Sequence, residues 1–239
     1  MENNNDLPGP IVQQVQPFKD KINRIKIHPH LPCSNFVLGL FSPRQTGKST
    51  ICSWLLLHPD ALGQDYYKSV YIFSPTIEQD DTSRFLLERF NCDTQYTDKK
   101  LQNIIDKQKE FKKDEMKDIC ILFDDCIGEE AMKRNSLLTS FICTARHARC
   151  DIIISLQSFK NLPKVSRINL TDVAIGCPIS SQAMKKDLAE EFGDNFEDGE
   201  SEFWNLYNEA TKKERYNFMV MKLKENPIQV FSNFEKRIY

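Results

Sequence analysis

The stretch Ser42-Pro-Arg-Gln-Thr-Gly-Lys-Ser49 has the residue types and the spacing to hold a chain of phosphates. A tight loop of this kind turns successive backbone N–H groups toward an anion, and the start of the following helix adds the positive end of its dipole. Gly47 lets the backbone approach closely, Lys48 reaches the β- and γ-phosphates, and the Ser49 hydroxyl can ligate Mg²⁺. Ser42, Pro43, Arg44, Gln45, Thr46 and Thr50 complete a candidate ATP-binding loop. No packing role is expected of Lys48 at a helix start. Loops of this type normally open with glycine, and serine at position 42 requires a backbone conformation that a Cβ tolerates.

Two adjacent carboxylates, Asp124 and Asp125, follow the apolar run Ile119-Cys-Ile-Leu-Phe123. At a strand end they divide naturally: Asp124 holds Mg²⁺ through water, and Asp125 orients and polarises an attacking water. Gln157 ends another apolar run, Asp151–Leu156. A carboxamide at the C-terminal end of a buried strand faces the crevice where open α/β sheets bind ligands, within reach of a γ-phosphate or the attacking water. Just before that run, Thr144-Ala-Arg146-His147-Ala-Arg149 carries two arginines. They either complement the dipole at a helix C-terminus or act across a subunit interface as an arginine finger.

Strands and helices in alternation must position these groups. The runs Phe36–Phe41, Val70–Ser74, Ile119–Phe123, Asp151–Leu156 and Asp172–Gly176 read as buried strands. Helices are expected over Lys48–His58, closed by Pro59, and over Glu129–Arg146, with Leu137, Leu138, Phe141, Ile142 and Ala145 on one face. Apolar strands separated by helices imply an α/β fold with a central, mostly parallel sheet covered on both faces. Lys107–Asp118 is a charge-rich, solvated helix or loop. Beyond about Ser180 the pattern changes to helices over Ser181–Phe192 and Ser201–Thr211, then to strands over Tyr216–Leu223 and Ile228–Phe234 separated by Pro227. That end is read as a helical and β-hairpin extension of one domain spanning 21–239, after a flexible, polar leader over 1–20.

At 239 residues and 40% hydrophobic content, the chain can build a core without disulfide or metal staples. No stretch approaches the roughly 20 apolar residues that span a bilayer, and the leader lacks the basic-then-apolar pattern of a secretory signal. The eight cysteines include no Cys-x-x-Cys pair, and several lie in apolar runs, which points to a reducing, intracellular setting rather than a disulfide or zinc framework. A net charge of −2 argues against a surface coated with basic residues, yet allows a ring that presents a few basic loops to DNA.

These motifs together resemble the FtsK–HerA branch of ASCE (RecA-like) P-loop ATPases, and within it the genome-packaging ATPases of poxvirus-like, virophage and polinton-type DNA viruses. The resemblance rests on Ser42–Thr50, Val70–Thr76 with its Ser-Pro-Thr ending, Asp124-Asp125, Arg146-His147, Gln157, Leu162–Asn169, and Glu202–Tyr207 leading to Tyr216–Val220. It implies that the strand before Gln157 lies between the phosphate-loop strand and the Asp124 strand, so that Gln157 senses the γ-phosphate. It implies a homo-oligomeric ring in which an arginine shortly before that strand completes the neighbour's site; Arg146 and Arg149 both match, with Arg167 a third candidate. Double-stranded DNA, and a capsid or portal-vertex protein, are the partners implied. Two other readings of the phosphate loop are a small-molecule kinase and a slow nucleotide-binding assembly protein. A kinase needs an acceptor pocket and an arginine-rich lid, for which the chain shows no compact cluster; only Ser42 favours the assembly protein.

Overall fold

Alternate residues of the apolar runs face opposite layers, as strand geometry requires. Ile119, Ile121 and Phe123 enter one core cluster while Cys120 and Leu122 enter another, and Ile152 and Ile154 are likewise separated from Ile153. The computed structural model describes residues 28–62, 66–81, 83–112, 115–126 and 136–239. The leader over 1–20 lies outside these residues.

Nine strands among the described residues form one sheet in the order β3-β2-β4-β5-β1-β6-β7-β8-β9. They are β1 (Val37–Phe41), β2 (Ser69–Phe73), β3 (Asn91–Asp93), β4 (Ile119–Asp124), β5 (Cys150–Leu156), β6 (Asp172–Gly176), β7 (Phe218–Lys222), β8 (Gln229–Ser232) and β9 (Lys236–Arg237). The pairs from β3 across to β6 are parallel, and β7, β8 and β9 add antiparallel strands. The C-terminal extension therefore continues the same sheet. Strand β5 lies between β1 and β4, pairing Gly39 with Ile154 and Asp124 with Ser155, so the ends carrying the phosphate loop, Gln157 and Asp124-Asp125 are adjacent.

Helix α1 (Lys48–Leu57) and helix α2 (Arg84–Arg89) cover one face through Ile51, Leu55, Leu56 and Leu86. Helices α3 (Asp98–Lys109), α4 (Leu137–Thr144), α6 (Gln182–Phe192) and α7 (Gly199–Thr211) cover the other, with Leu101, Leu138, Leu188 and Phe203 in its core. A one-turn helix, α5 (Lys164–Arg167), precedes β6.

Three sequence expectations are corrected. Of the helix expected over Glu129–Arg146, the part up to residue 135 lies outside the described residues; within them it does not run through Ser136, whose backbone is extended and whose hydroxyl accepts from Thr139 N as the N-cap of a helix starting at Leu137. Beyond Thr144 it tightens to a 3₁₀ turn over Ala145–Ala148, ended by Arg149 at φ 48°. The strand expected from Tyr216 begins at Phe218, since Tyr216 has φ 76° and cannot continue a ladder. Strand β3 and helix α3 were not foreseen, and the start of the charge-rich Lys107–Asp118 belongs to α3. The short polar run Asn91–Asp93 has neither the length nor the apolar pattern that marks a strand.

Candidate active site

The loop between β1 and α1 is built by two left-handed residues, Gln45 at φ 59° and Gly47 at φ 92°. Gly47 is the N-cap of α1, and no side chain caps that helix end, so its first N–H groups point into the loop. Ser42 is not among the positive-φ residues, which is why a Cβ is tolerated where glycine is usual. Its side chain instead packs into space left by Gly176 at the end of β6, where a Cβ would overlap it. The Ser42 and Thr46 hydroxyls are hydrogen-bonded, and Thr46 Oγ1 donates to Pro43 O at 2.7 Å. Ser42 thus braces the loop from inside.

Lys48 is only 8% exposed, and its Nζ donates to Ser42 O at 2.9 Å and Pro43 O at 3.2 Å. The expectation that it plays no packing part is corrected: its ammonium also ties the loop's first carbonyls. The same ammonium lies 3.8 Å from Asp125 Oδ2.

Asp125 leaves β4 at φ 44°, a left-handed conformation that Asp adopts more readily than most residues. Its N–H donates to Ser155 O at 3.0 Å, and the turn carries its carboxylate toward Lys48 and Gln157. Gln157 Nε2 donates to Asp125 Oδ2 at 3.2 Å. Asp124, the last residue of β4, is buried and accepts from Ser74 Oγ at 3.1 Å. Burial, and to a lesser degree the adjacent Asp125 charge, push its carboxyl above the usual range, while Ser155, then Ser74 and Lys48, counteract. A cavity of about 1000 Å³ opens over these groups, lined by Arg44, Ser49, Thr50, Thr76, Asp80 and the Lys48–Asp125–Gln157 cluster, among others.

The family model of the poxvirus A32 protein matches residues 35–192. This chain belongs to that family. The fold agrees: B204, the DNA-packaging ATPase from Sulfolobus turreted icosahedral virus, matches with a TM-score of 0.55 at 13% identity, over 85% of this chain and 98% of its own. The genome packaging NTPase B204 from Sulfolobus turreted icosahedral virus 2, in complex with AMPPCP, matches at 0.56 and 12%, over 85% and 98%. The pCW3 conjugation coupling protein TcpA matches at 0.53 and 13%, over 87% of this chain and 62% of its own. No curated protein sequence matches the chain. At such identities the structural likeness is one of fold, and it is the P-loop fold expected from the motifs.

In this A32-family chain the three arginines before and after β5 differ. Arg149 donates through Nε and Nη2 to both carboxylate oxygens of Asp118, at 2.9 and 2.7 Å. Arg167 sits 4.9 Å over the Phe159 ring with its Nε 3.7 Å from Glu191. Arg146 is exposed, with Nε 3.4 Å from His147 Nε2. None of the three is among the residues lining the cavity over Lys48, Asp125 and Gln157.

Sequence reasoning missed the second support of the phosphate loop. Arg215 donates to Gln45 O through Nε and Nη2, at 3.2 and 2.9 Å, and Tyr216 lies against Gly47. No local pattern announces a contact across 170 positions. Ser74 carries no signal of its own in the sequence, and its hydroxyl bond to Asp124 follows from the β2–β4 pairing.

Proposed function

We propose that this chain is an ATP hydrolase that uses Mg²⁺ and drives double-stranded DNA into a viral capsid. The observation that supports this best is the convergence of Lys48, Asp125 and Gln157 at the adjacent ends of β1, β4 and β5, under one cavity. Lys48 holds phosphate oxygens, Asp125 takes a proton from water, and Gln157 keeps that carboxylate and the water aligned. No acceptor other than water is required.

The Mg²⁺ reading fits the donor set. Among the described residues no group of three or more His, Cys, Asp or Glu could cage a metal, so the ion must take part of its shell from phosphates and water, as Mg²⁺ does. Ser49 would ligate the ion and Asp124 would hold it through water, and a carboxylate whose ionisation burial disfavours gains most from a cation beside it. When bound, the ion neutralises charge on the β- and γ-phosphates.

The partner reading is a homo-oligomeric ring around DNA, docked on a capsid or portal-vertex protein. Of the three arginine candidates, Arg146 fits a role in a neighbour's site, because Arg149 and Arg167 are engaged within their own subunit. Among the described residues no helix is long and apolar enough to cross a membrane.

Phosphate release, measured without nucleic acid, with duplex DNA and with single-stranded DNA, tests the reading. Duplex DNA should stimulate turnover, and Lys48→Ala should reduce it to background in a protein that still folds. Turnover by Lys48→Ala equal to wild type would sink the assignment of the site. Release that needs a small-molecule acceptor instead of water would make the chain a kinase.

A further inference from the structure

A second cavity, of about 630 Å³, adjoins the phosphate cavity and shares Gly47, Thr50 and Tyr216 with it. It runs along α1 toward the C-terminal strands, so its walls come from both ends of the chain. Tyr216 stands at the junction. The residue is 57% exposed, its backbone is at φ 76°, and a Cβ on Gly47 would stand 3.3 Å from its Cδ1. A bulky aromatic residue in the left-handed region is strained, and here that conformation holds an exposed residue beside the phosphate loop. The ring carries the Arg215 guanidinium 5.1 Å above it, and that guanidinium is itself bonded to Gln45 O.

The rest of the cavity has one aromatic wall and an acidic rim. Trp54 of α1 stacks on Phe234, at 6.0 Å and 18°. Its polar floor is pre-ordered: Asn233 Oδ1 accepts from Phe218 N at 2.9 Å, and Asn233 Nδ2 donates to Asn217 Oδ1 at 3.1 Å. Asp60 and Glu235 add carboxylates, which only accept hydrogen bonds when ionised.

From this geometry we infer that the smaller cavity is the nucleobase pocket, and that Tyr216 is its stacking platform and specificity-determining residue. The occupant is an amino-bearing purine, whose N–H groups meet the acceptor rim while its face covers the tyrosine ring. Phosphates lie on the loop, the ribose passes Gly47, and the base enters beside Tyr216. Because Tyr216 belongs to the segment leading into β7, base binding joins the C-terminal extension to the phosphate loop. This inference rests on the nucleotide reading of that loop.

The test compares dissociation constants, with Mg²⁺ present, for ATP, GTP, UTP and inorganic tripolyphosphate, using wild type, Tyr216→Ala and Tyr216→Phe. Base–aromatic stacking of ordinary strength corresponds to roughly a tenfold effect or more. Wild type should bind ATP or GTP about tenfold more tightly than tripolyphosphate, and the better of the two identifies the base. Tyr216→Ala should remove that advantage, read as the ratio of the ATP to the tripolyphosphate constant within the same variant, so that any change in the loop that Tyr216 abuts cancels; Tyr216→Phe should keep it. Tripolyphosphate binding as tightly as both purine nucleotides, UTP matching them, or an unchanged ratio in Tyr216→Ala would each overturn the pocket. If neither ATP nor tripolyphosphate binds, the phosphate-loop reading itself falls, and the pocket with it.

Discussion

The two ends of strand β5 carry similar residue types in opposite circumstances. At its C-terminal end, Gln157 shares the Asp125 carboxylate with Lys48, and the Asp125 side chain is 32% exposed beside a large cavity. At its N-terminal end the polar groups satisfy one another. Asp151, 3% exposed, accepts from Tyr67 Oη at 2.8 Å and from Phe36 N at 3.1 Å, while Arg149 and Asp118 form a two-bond pair. The strand is seven residues long, so these ends are about 20 Å apart. Charged residues near a buried strand are therefore not evidence of catalysis by type alone. What separates the ends is whether their hydrogen-bonding capacity is already used inside the chain.

The sharpest way to break this contrast is at Arg149, held by two bonds to Asp118, and the exposed Arg146. If Arg146 enters a neighbour's site, Arg146→Ala should lower hydrolysis in assembled protein by on the order of 10³ or more without changing thermal stability. Arg149→Ala should do the reverse: it leaves Asp118 without its bidentate partner, so stability should fall by about 1–3 kcal/mol while the activity of the folded fraction persists. Mixing Arg146→Ala with Lys48→Ala should restore part of the activity, because some interfaces then join an intact loop to an intact arginine. Co-assembly without any recovery would show that Arg146 does not act in trans.

A smaller effect sharpens the description of the cavity end. If Asp125 polarises the attacking water, Asp125→Asn, which keeps the shape and loses the charge, should slow hydrolysis by about 10²- to 10⁴-fold with ATP and Mg²⁺ still bound. Asp124→Asn should in addition raise the Mg²⁺ concentration needed for half-maximal binding. Identical behaviour of the two variants in both assays would remove the division between them.

The smallest effect is expected at the opposite end and concerns stability against pH. Burial pushes the Asp151 carboxyl up to about 7, partly offset by the Tyr67 and backbone hydrogen bonds, and burial pushes Asp172 up to about 6. From an ordinary value of 3.8, the folded state binds more protons than the unfolded one between about 4 and about 7. The contribution of these two carboxyls to stability is therefore greatest below that window and declines as pH rises through it. Asp151→Asn should flatten the part of the decline above about pH 6, read as thermal midpoints across a pH series. A slope the same as wild type would mean that Asp151 is ionised throughout.

Read from sequence alone, the phosphate loop, the Asp124-Asp125 pair, Gln157 and the five parallel strands that carry the site were accessible, because each rests on local patterns. A buried parallel strand must be apolar along its length, and a phosphate loop must place glycine and lysine at a helix start. The left-handed turn at Asp125, which swings its carboxylate toward Lys48, had no such signature. Nor did the role of Gly176 in making space for Ser42, the clasp of Arg215 on Gln45, or the position of Tyr216 over Gly47. The sequence could not choose among Arg146, Arg149 and Arg167, since all three are arginines near one strand. Their differing engagement appears only when Asp118, Phe159 and Glu191 are brought beside them. Local chemistry follows from spacing along the chain, whereas the freedom of a side chain to act depends on which distant partners the fold delivers to it.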